Sequence, residues 1–544
     1  MTHKIFRFAA LAATLSLAAL GRRASADVVP LTDRQLAAGS PHIVVATVEE
    51  ATARWNEQHT LIFTDYRLRV EDRLRGDAPQ RITLSMAGGT LDGQTHSTSF
   101  TTPLAPGARY LLFLQDLDRP LLTPVTGARQ GVIREGRGKA RDFARQVGST
   151  RRLLARIAAD PQDSDTAWKR QAESAFPLPA KRWDPTPRPM PAGALPPLRD
   201  EAGAAGEVAK ALPYFVQNPP VAPLVFDPLP ADAPFQGADQ EMMAYWNLYS
   251  RSPIFLVARD PSPGWANLNG VSEVAGFPSD EEMEEYFGGG WPDGAVSTVF
   301  TTYEEGGPIV EAVLALNPAR TWTLGDTEPE VLPGEDVFSF KPAILRMLAT
   351  AWGYHGAYDP ANGPDDPAAW IADNVAGYTG KPMELRHATL MAADAAAVRG
   401  TFGGKKVRDG LISPYSSYLD KAGWPTWSYA LPRVQSVRAG GSFAFDEFIK
   451  VENPGTARIP RPTVEVYLAP QRGSLRRAIL LKRISMSAAL RPGEIRRLAL
   501  GSVQVPRSTP AGTYHIVYVL AGRDAYLPNN QAWAPHFAEV TVRR

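Results

Sequence analysis

Residues 296–317 read VSTVFTTYEEGGPIVEAVLALN, and residues 337–353 read VFSFKPAILRMLATAWG. In the first stretch, Val296 to Thr302 and Pro308 to Leu316 have the length and the branched, aromatic content of strands. Glu304-Glu305-Gly306-Gly307 between them predicts a hairpin turn. In the second stretch, Ile344, Leu345, Leu348 and Trp352 recur at helical spacing. Gly353 ends the run, so Val337 to Trp352 reads as a helix. Gln240 to Tyr249 also reads as a helix, with Met243, Trp246 and Leu248 to pack. This mixture over residues 236–403 predicts an α+β unit.

Both flanks read differently. Residues 27–140 carry strand signals at Ile43 to Val48, Ile62 to Val70, Arg81 to Ser85 and Arg109 to Leu114. Turn clusters such as Ala87-Gly88-Gly89 and Ala105-Pro106-Gly107 separate them, which predicts a small β-barrel or sandwich. A polar helix is expected over 139–159. Residues 141–235 hold that helix and a linker, because 15 of the 49 prolines lie within 177–234. Proline fixes φ and removes backbone donors, so this stretch is expected to be extended. Beyond a second linker at 404–429, residues 430–544 return to alternating patterns at Phe443-Ala444-Phe445, Phe448 to Val451, Val464 to Leu468 and Tyr514 to Leu520. Seven or so strands there predict an immunoglobulin-like sandwich. The fold class is therefore multidomain, α+β and β.

Composition narrows the chemistry. A chain of 544 residues is too long for one core, and its 58 basic and 57 acidic residues leave a formal charge of +1. A field that weak recruits neither nucleic acid nor anionic lipid over the whole surface. The absence of cysteine excludes disulfides, thiolate zinc sites, iron–sulfur clusters and cysteine nucleophiles. Residues 1–26 combine Lys4 and Arg7, an apolar stretch from Phe8 to Leu20, and Ala24-Ser25-Ala26. That is the layout of a signal peptide, and no later segment reads as a membrane span. The expected location is outside the cytoplasm: secreted, periplasmic or at the cell surface.

The middle unit resembles the matrixin-type metalloproteases of the metzincin clan. Ile309 to Asn317 looks like that family's edge strand lining the substrate cleft, with Val310, Glu311, Val313, Ala315 and Asn317 as cleft candidates. Asp336 to Lys341 looks like the approach to the zinc-binding helix, and Leu390 to Arg399 like the final helix, ending near Phe402. Met383 falls where a Met-turn is expected, with Met391 as the alternative. Residues 28–135 look like the small β domain beside bacterial secreted matrixins, with an OB-like layout. Val451-Glu452-Asn453-Pro454-Gly455, Leu490-Arg491-Pro492-Gly493 and Gly512-Thr513-Tyr514 make the C-terminal unit similar to CARDB-type adhesion modules.

The resemblance implies a zinc motif, H-E-x-x-H-x-x-G-x-x-H, in which two His one turn apart and a third beyond a glycine hold the metal, and a Glu acts as base. With Gly353 as the motif glycine, Arg346, Met347, Thr350 and Gly356 occupy the His, Glu, His and His positions. None supplies a zinc ligand or a base. The expected function is that of a non-catalytic matrixin-like protein, a pseudoenzyme that binds an extracellular protein or a cell-surface ligand and carries no cofactor. One alternative is an active zinc metallopeptidase with a non-family ligand set of His355, Asp359 and His387. Another is a structural envelope or extracellular protein.

Three further clusters have plain readings. Asp280-Glu281-Glu282-Met283-Glu284-Glu285 after Ser279 reads as a capped helix start rather than a metal patch. Asp359, Asn362, Asp365 and Asp366 form an oxygen-rich loop, a solvated insert with calcium as the alternative. Arg472, Arg476, Arg477, Lys482 and Arg483 read as the outer face of sandwich strands, with a polyanion as the alternative.

Overall fold

A computed structural model describes residues 31, 33–115, 117–136, 140–159, 216, 218–230, 233–258, 271–292, 294–304, 307–324, 337–354, 390–419, 425–446, 448–522, 525–534 and 538–544. The leader at 1–26, most of the proline-rich stretch, Met383, and the loop with His355, Gly356, Asp359, Asn362, Asp365, Asp366 and His387 lie outside them. The fold is mixed α+β, with several sheets.

After the short helix α1 (Asp33–Ala38) come β1 (His42–Trp55), β2 (Ile62–Arg75), β3 (Arg81–Ala87), β4 (Gly89–Leu91), β5 (Gln94–Thr98), β6 (Arg109–Leu114) and β7 (Val132–Arg134). Five of them make an antiparallel sheet in the order β3-β2-β1-β6-β7. The run Ile43 to Val48 is apolar without alternation because both faces of β1 are covered there. Val44, Ala46 and Val48 enter one cluster with Leu68, Leu84 and Leu112. Ile43 and Val45 enter another with Leu36, Phe113 and helix α2 (Ala140–Ala159) through Phe143 and Ile157. The expected barrel or OB layout is corrected. The sheet is open, and β4 and β5 leave it.

Those two strands join the middle unit. Strands β8 (Leu224–Asp227), β9 (Phe255–Val257), β10 (Ser272–Gly276), β11 (Ser297–Glu304) and β12 (Ile309–Leu316) form a seven-stranded sheet with them, in the order β4-β5-β11-β12-β10-β8-β9. β12, β10, β8 and β9 run parallel, whereas β11 is antiparallel to β12 and β5 antiparallel to β11. Helices α3 (Ala238–Asn247), α5 (Phe340–Ala351) and α6 (Ala392–Phe402) share a core with Val299, Ala312, Leu314 and Leu316. On the other side, Phe300, Val313 and Ala315 pack with Met283 and Phe287 of α4 (Asp280–Phe287) and with Leu61, Phe63, Phe100 and Leu122 of the N-terminal unit. Burying each such large side chain contributes about 1.5–3 kcal/mol, so the N-terminal unit draws stability from the middle one. A short parallel pair, β13 (Thr321–Thr323) and β14 (Val337–Ser339), leads into α5. The expected helix over 337–352 thus begins three residues late.

The C-terminal unit begins before its expected boundary, because the 404–429 linker contains β15 (Leu411–Ser413), β16 (Tyr415–Leu419) and β17 (Pro425–Tyr429). The remaining strands are β18 (Ser436–Arg438), β19 (Ser442–Ala444), β20 (Phe448–Glu452), β21 (Thr463–Ala469), β22 (Ile479–Ser485), β23 (Ile495–Ala499), β24 (Ser502–Gln504), β25 (Gly512–Ala521), β26 (Gln531–Trp533) and β27 (Val540–Arg543). A sheet in the order β18-β27-β25-β21-β22, with β26 on β25, shares one core with the three-stranded β15-β20-β23 sheet. This is an immunoglobulin-like sandwich.

Buried polar contacts join the sandwich to the middle unit. The Tyr249 hydroxyl donates to Asp409 Oδ2, which also accepts from Asn529 Nδ2 at 3.1 Å, while Asp409 Oδ1 accepts from Tyr526 N at 3.3 Å. Tyr526 stacks on Tyr245 at 3.8 Å and donates to Glu241 at 2.9 Å. Burial first, and the Asp409 carboxylate with it, hold Tyr245 and Tyr249 far above the ordinary phenol pKa, so both stay neutral, Tyr249 as a donor and Tyr245 as the acceptor of Asn529 Nδ2 at 3.2 Å. Glu452, on β20, accepts from Ala392 N at 3.0 Å, and Asp394 accepts from Met391 N at 2.8 Å. Two carboxylates thereby serve the donor-rich N-terminus of α6.

Candidate functional site

The helix on which the zinc motif is expected is α5. Pro342 sits in its first turn, where a missing N–H removes no intrahelical bond. Its end is set by Gly353, whose φ of 83° is left-handed. Gly353 N donates to Thr350 O at 3.0 Å and Tyr354 N to Ala349 O at 2.9 Å, a Schellman pair that satisfies two terminal carbonyls. Ile344, Leu345, Leu348 and Trp352 are buried, as their spacing predicts. The Trp246 indole crosses Trp352 at 5.6 Å and donates to Leu345 O at 3.0 Å.

At the motif positions, the chemistry does not fit zinc. Met347 is completely buried in the helix–sheet core. Thr350 is half-buried, and its hydroxyl turns back to Arg346 O at 3.4 Å. Arg346 brings a cation with donors only. A buried thioether, a guanidinium and a hydroxyl facing its own helix make no hard ligand set and no general base.

The expected cleft strand is also placed elsewhere. Residues 309–316 do not form an edge, since β12 is paired on both sides by β10 and β11. Glu311, Val313, Ala315 and Asn317 are buried, and of the five candidates only Val310 is exposed, at 45%. Asn317 holds a turn, donating to Ala295 O at 2.9 Å and accepting from Ala319 N at 2.9 Å. The outer side of β11 is taken by the chain itself. Phe300 to Glu304 pair with Thr98 to Gln94, and Ser97 and Thr301 share a hydroxyl bond of 2.6 Å.

That pairing creates a small enclosed site absent from the sequence reading. His96, Thr302 and Glu311 are direct cross-strand neighbours on β5, β11 and β12, so their side chains share one sheet face. His96, Thr302, Glu311, Thr60, Phe287 and Phe300 line a cavity of about 10 Å³, roughly the room one water needs. His96 and Glu311 are each only 2% exposed. Imidazole Nδ1 accepts from Ile62 N at 3.1 Å, which places the proton of the neutral ring on Nε2. Nε2 has no partner among the described residues. Burial pushes the His96 pKa down to about 4, so the ring is neutral at pH 7. Trp55 meets it edge-on at 5.2 Å. A cavity this small holds no peptide or sugar, and the site is a largely buried polar seam between two units. A lone His among Gln94, Thr95, Ser97 and Thr98 gives no sequence signal of burial.

The remaining clusters take their plain readings where described. Ser279 and Glu282 form a reciprocal capping box on α4, at 3.2 and 2.7 Å. Lys482 donates to Leu500 O and Ser502 O, and Arg483 pairs with Glu465. No group of three His, Cys, Asp or Glu with metal-holding geometry occurs among the described residues. No described helix is long and apolar enough to cross a membrane.

No protein-family model matches the chain, and no curated protein does. A quarter of the chain is similar to the CARDB domain of a Pyrococcus furiosus protein, solved in complex with di-metal ions. Identity is 17%, with 25% of this chain and 96% of that one covered and a TM-score of 0.16. A sporulation control protein from Bacillus subtilis matches at 13% identity, over 21% of this chain and 48% of that one, with a TM-score of 0.15. The chain thus spans about half the length of the second. At these scores neither likeness carries an argument.

Proposed function

We propose that this chain is an exported, non-catalytic protein on a matrixin-like scaffold, acting in binding at protein or cell surfaces. The observation that carries this reading is the side-chain set on α5. Met347 is a core residue where a catalytic base is required, and Arg346 and Thr350 stand where ligands are required. The helix earns its place by packing, which is how a scaffold outlives its chemistry. Strands 297–304 and 309–316, followed by α5 and α6, keep the order on which the resemblance rests. A CARDB-type adhesion role for the sandwich belongs to the same reading. Its Val451-Glu452-Asn453-Pro454-Gly455 segment is built in, with Asn453 Nδ2 bonding Ala457 O and Leu490 O at 3.0 Å each.

A specific observation favours the structural alternative over peptide capture in the cleft. Strand addition needs an open edge, and β5 fills the edge of β11. Binding is therefore assigned to outer surfaces and not to residues 309–317. The test is elemental analysis of protein purified without chelating resins and exposed to zinc, paired with a peptide-cleavage assay. Near-zero zinc with no chelator-sensitive cleavage is the expected result. One tightly held zinc per chain, with cleavage lost to chelator and restored by zinc, overturns the reading and makes His355, Asp359 and His387 the first residues to mutate.

A further inference from the structure

Helix α2 (Ala140–Ala159) presents arginine in a line. At 100° per residue, Arg141, Arg145, Arg152 and Arg156 fall within about 60° of one another around the axis, and all four are exposed. Phe143, Thr150 and Ile157 lie opposite and are buried against Ile43, Val45, Leu111 and Phe113. Packing therefore fixes which way the arginines face. From Arg141 to Arg156 the stripe runs about 22 Å, at 1.5 Å per residue.

What sets this face apart is pairing. On the adjoining sheet, most arginines have carboxylate partners: Arg54 with Asp65, Arg67 with Glu50, Arg69 with Glu49 and Glu71, Arg81 with Glu49, and Arg109 with Glu71 and Glu135. Arg73 and Arg75 bond backbone carbonyls instead, and Arg134 is the exception, with no ion pair among the described residues. Arg151, on the flank of α2, is held by Asp72. On the stripe, Arg145 alone has a carboxylate partner among the described residues, Asp142 at 3.2 Å. Arg141, Arg152 and Arg156 make no ion pair among the described residues. Two like-charged pairs at i, i+4 also weaken the helix, a conflict that an anionic ligand would relieve.

We propose that this stripe binds a linear sulfated polysaccharide. Guanidinium forks grip such oxyanion groups with two parallel hydrogen bonds, and four in a row match a repeating charge better than a single small anion. A bilayer fits less well, because a membrane-surface helix must insert an apolar face, and that of α2 is already buried. The proposal gives the surface-binding reading a ligand class but does not depend on it, since a zinc-loaded protease would carry the same stripe.

The test measures binding of the full chain to heparin, as a sulfated probe, against salt concentration. The wild type is compared with R141Q/R152Q/R156Q and with the charge-matched R458Q/R507Q/R543Q, three exposed arginines of the C-terminal unit. Circular dichroism checks that the helix content is unchanged. Each released counterion contributes a little under one unit to the slope of log K against log salt. The stripe variant is expected to lose about 2–3 units of slope, and the control variant less than about one. Equal losses in both variants would reduce the effect to net charge and overturn the proposal. So would absence of heparin binding by the wild type at low salt. Vesicles of phosphatidylglycerol are the remaining arm: binding them as tightly as heparin, with the same dependence on the stripe, would assign it to lipid headgroups instead.

Discussion

His96 concentrates the consequences of burying one ionisable side chain. Its pKa in the folded protein, about 4, lies below the 6.5 of an exposed imidazole. Between those values the unfolded chain binds a proton that the folded one refuses. The stabilisation from keeping His96 neutral is therefore complete above pH 6.5, falls as pH drops through that window, and levels off below pH 4. The slope approaches about 1.4 kcal/mol per pH unit. His96→Asn keeps an acceptor for Ile62 N and removes the titration. Urea unfolding of wild type and variant should diverge in pH dependence between pH 6.5 and 4 and run parallel above it. Parallel curves throughout would show that His96 is not buried. Nearby Gly88 has a φ of 105°, and a Cβ at that position would stand 3.2 Å from His96 O, which explains a glycine there. At this scale the sequence tells half the story. Arg346, Met347 and Thr350 are visibly unfit for zinc from their chemistry alone. Burial of His96 and Glu311 depends on a strand from another unit, and no local pattern carries that information.

Among the elements, the hairpin of β4 and β5 has the largest effect for its size. Its anchor is Phe100, completely buried and edge-on to Trp291 at 6.1 Å. Phe100→Ala should cost about 3–5 kcal/mol. Hydrogen exchange should then quicken in β11, whose outer edge depends on the hairpin, while β21 in the distant sandwich keeps its protection. Unchanged exchange in β11 would mean that the hairpin is a passenger. The apolar runs are legible, because a strand covered on both faces is apolar whatever covers it: 309–316 and 43–48 are both strands, and 297–304 is legible through its branched and aromatic content. Helix α5 is legible through Gly353 and the spacing of Leu345, Leu348 and Trp352. The hairpin is not, since Gly89 to Thr98 is polar and its burial comes from Leu61, Phe287 and Phe300. Residues 404–429 resemble a linker for a related reason: their strands are short, and one of them, β15, takes its partner from 448–452.

For the whole molecule, the boundaries drawn from composition describe segments that do not stand alone. Asp409 accepts hydrogen bonds from Tyr249, Asn529 and Tyr526, which belong to both sides of the junction between middle unit and sandwich. Asp409→Ala strips buried donors of their acceptor, at about 1–3 kcal/mol for each left unsatisfied. Calorimetry should show the sandwich and the middle unit melting as one transition in the wild type and as two in the variant. A single transition in both would place the coupling in the apolar contacts instead. The seam between β5 and β11 has a further consequence, one of timing. Residues 94–98 are made about 200 residues before the strand that receives them. At roughly 5–20 residues per second, that is a delay of about 10–40 s. Throughout it, the first hundred residues carry a hairpin without its neighbour and a half-built core around Phe63 and Phe100. The topology therefore leaves apolar surface of the nascent chain uncovered for that interval, whatever the finished protein binds.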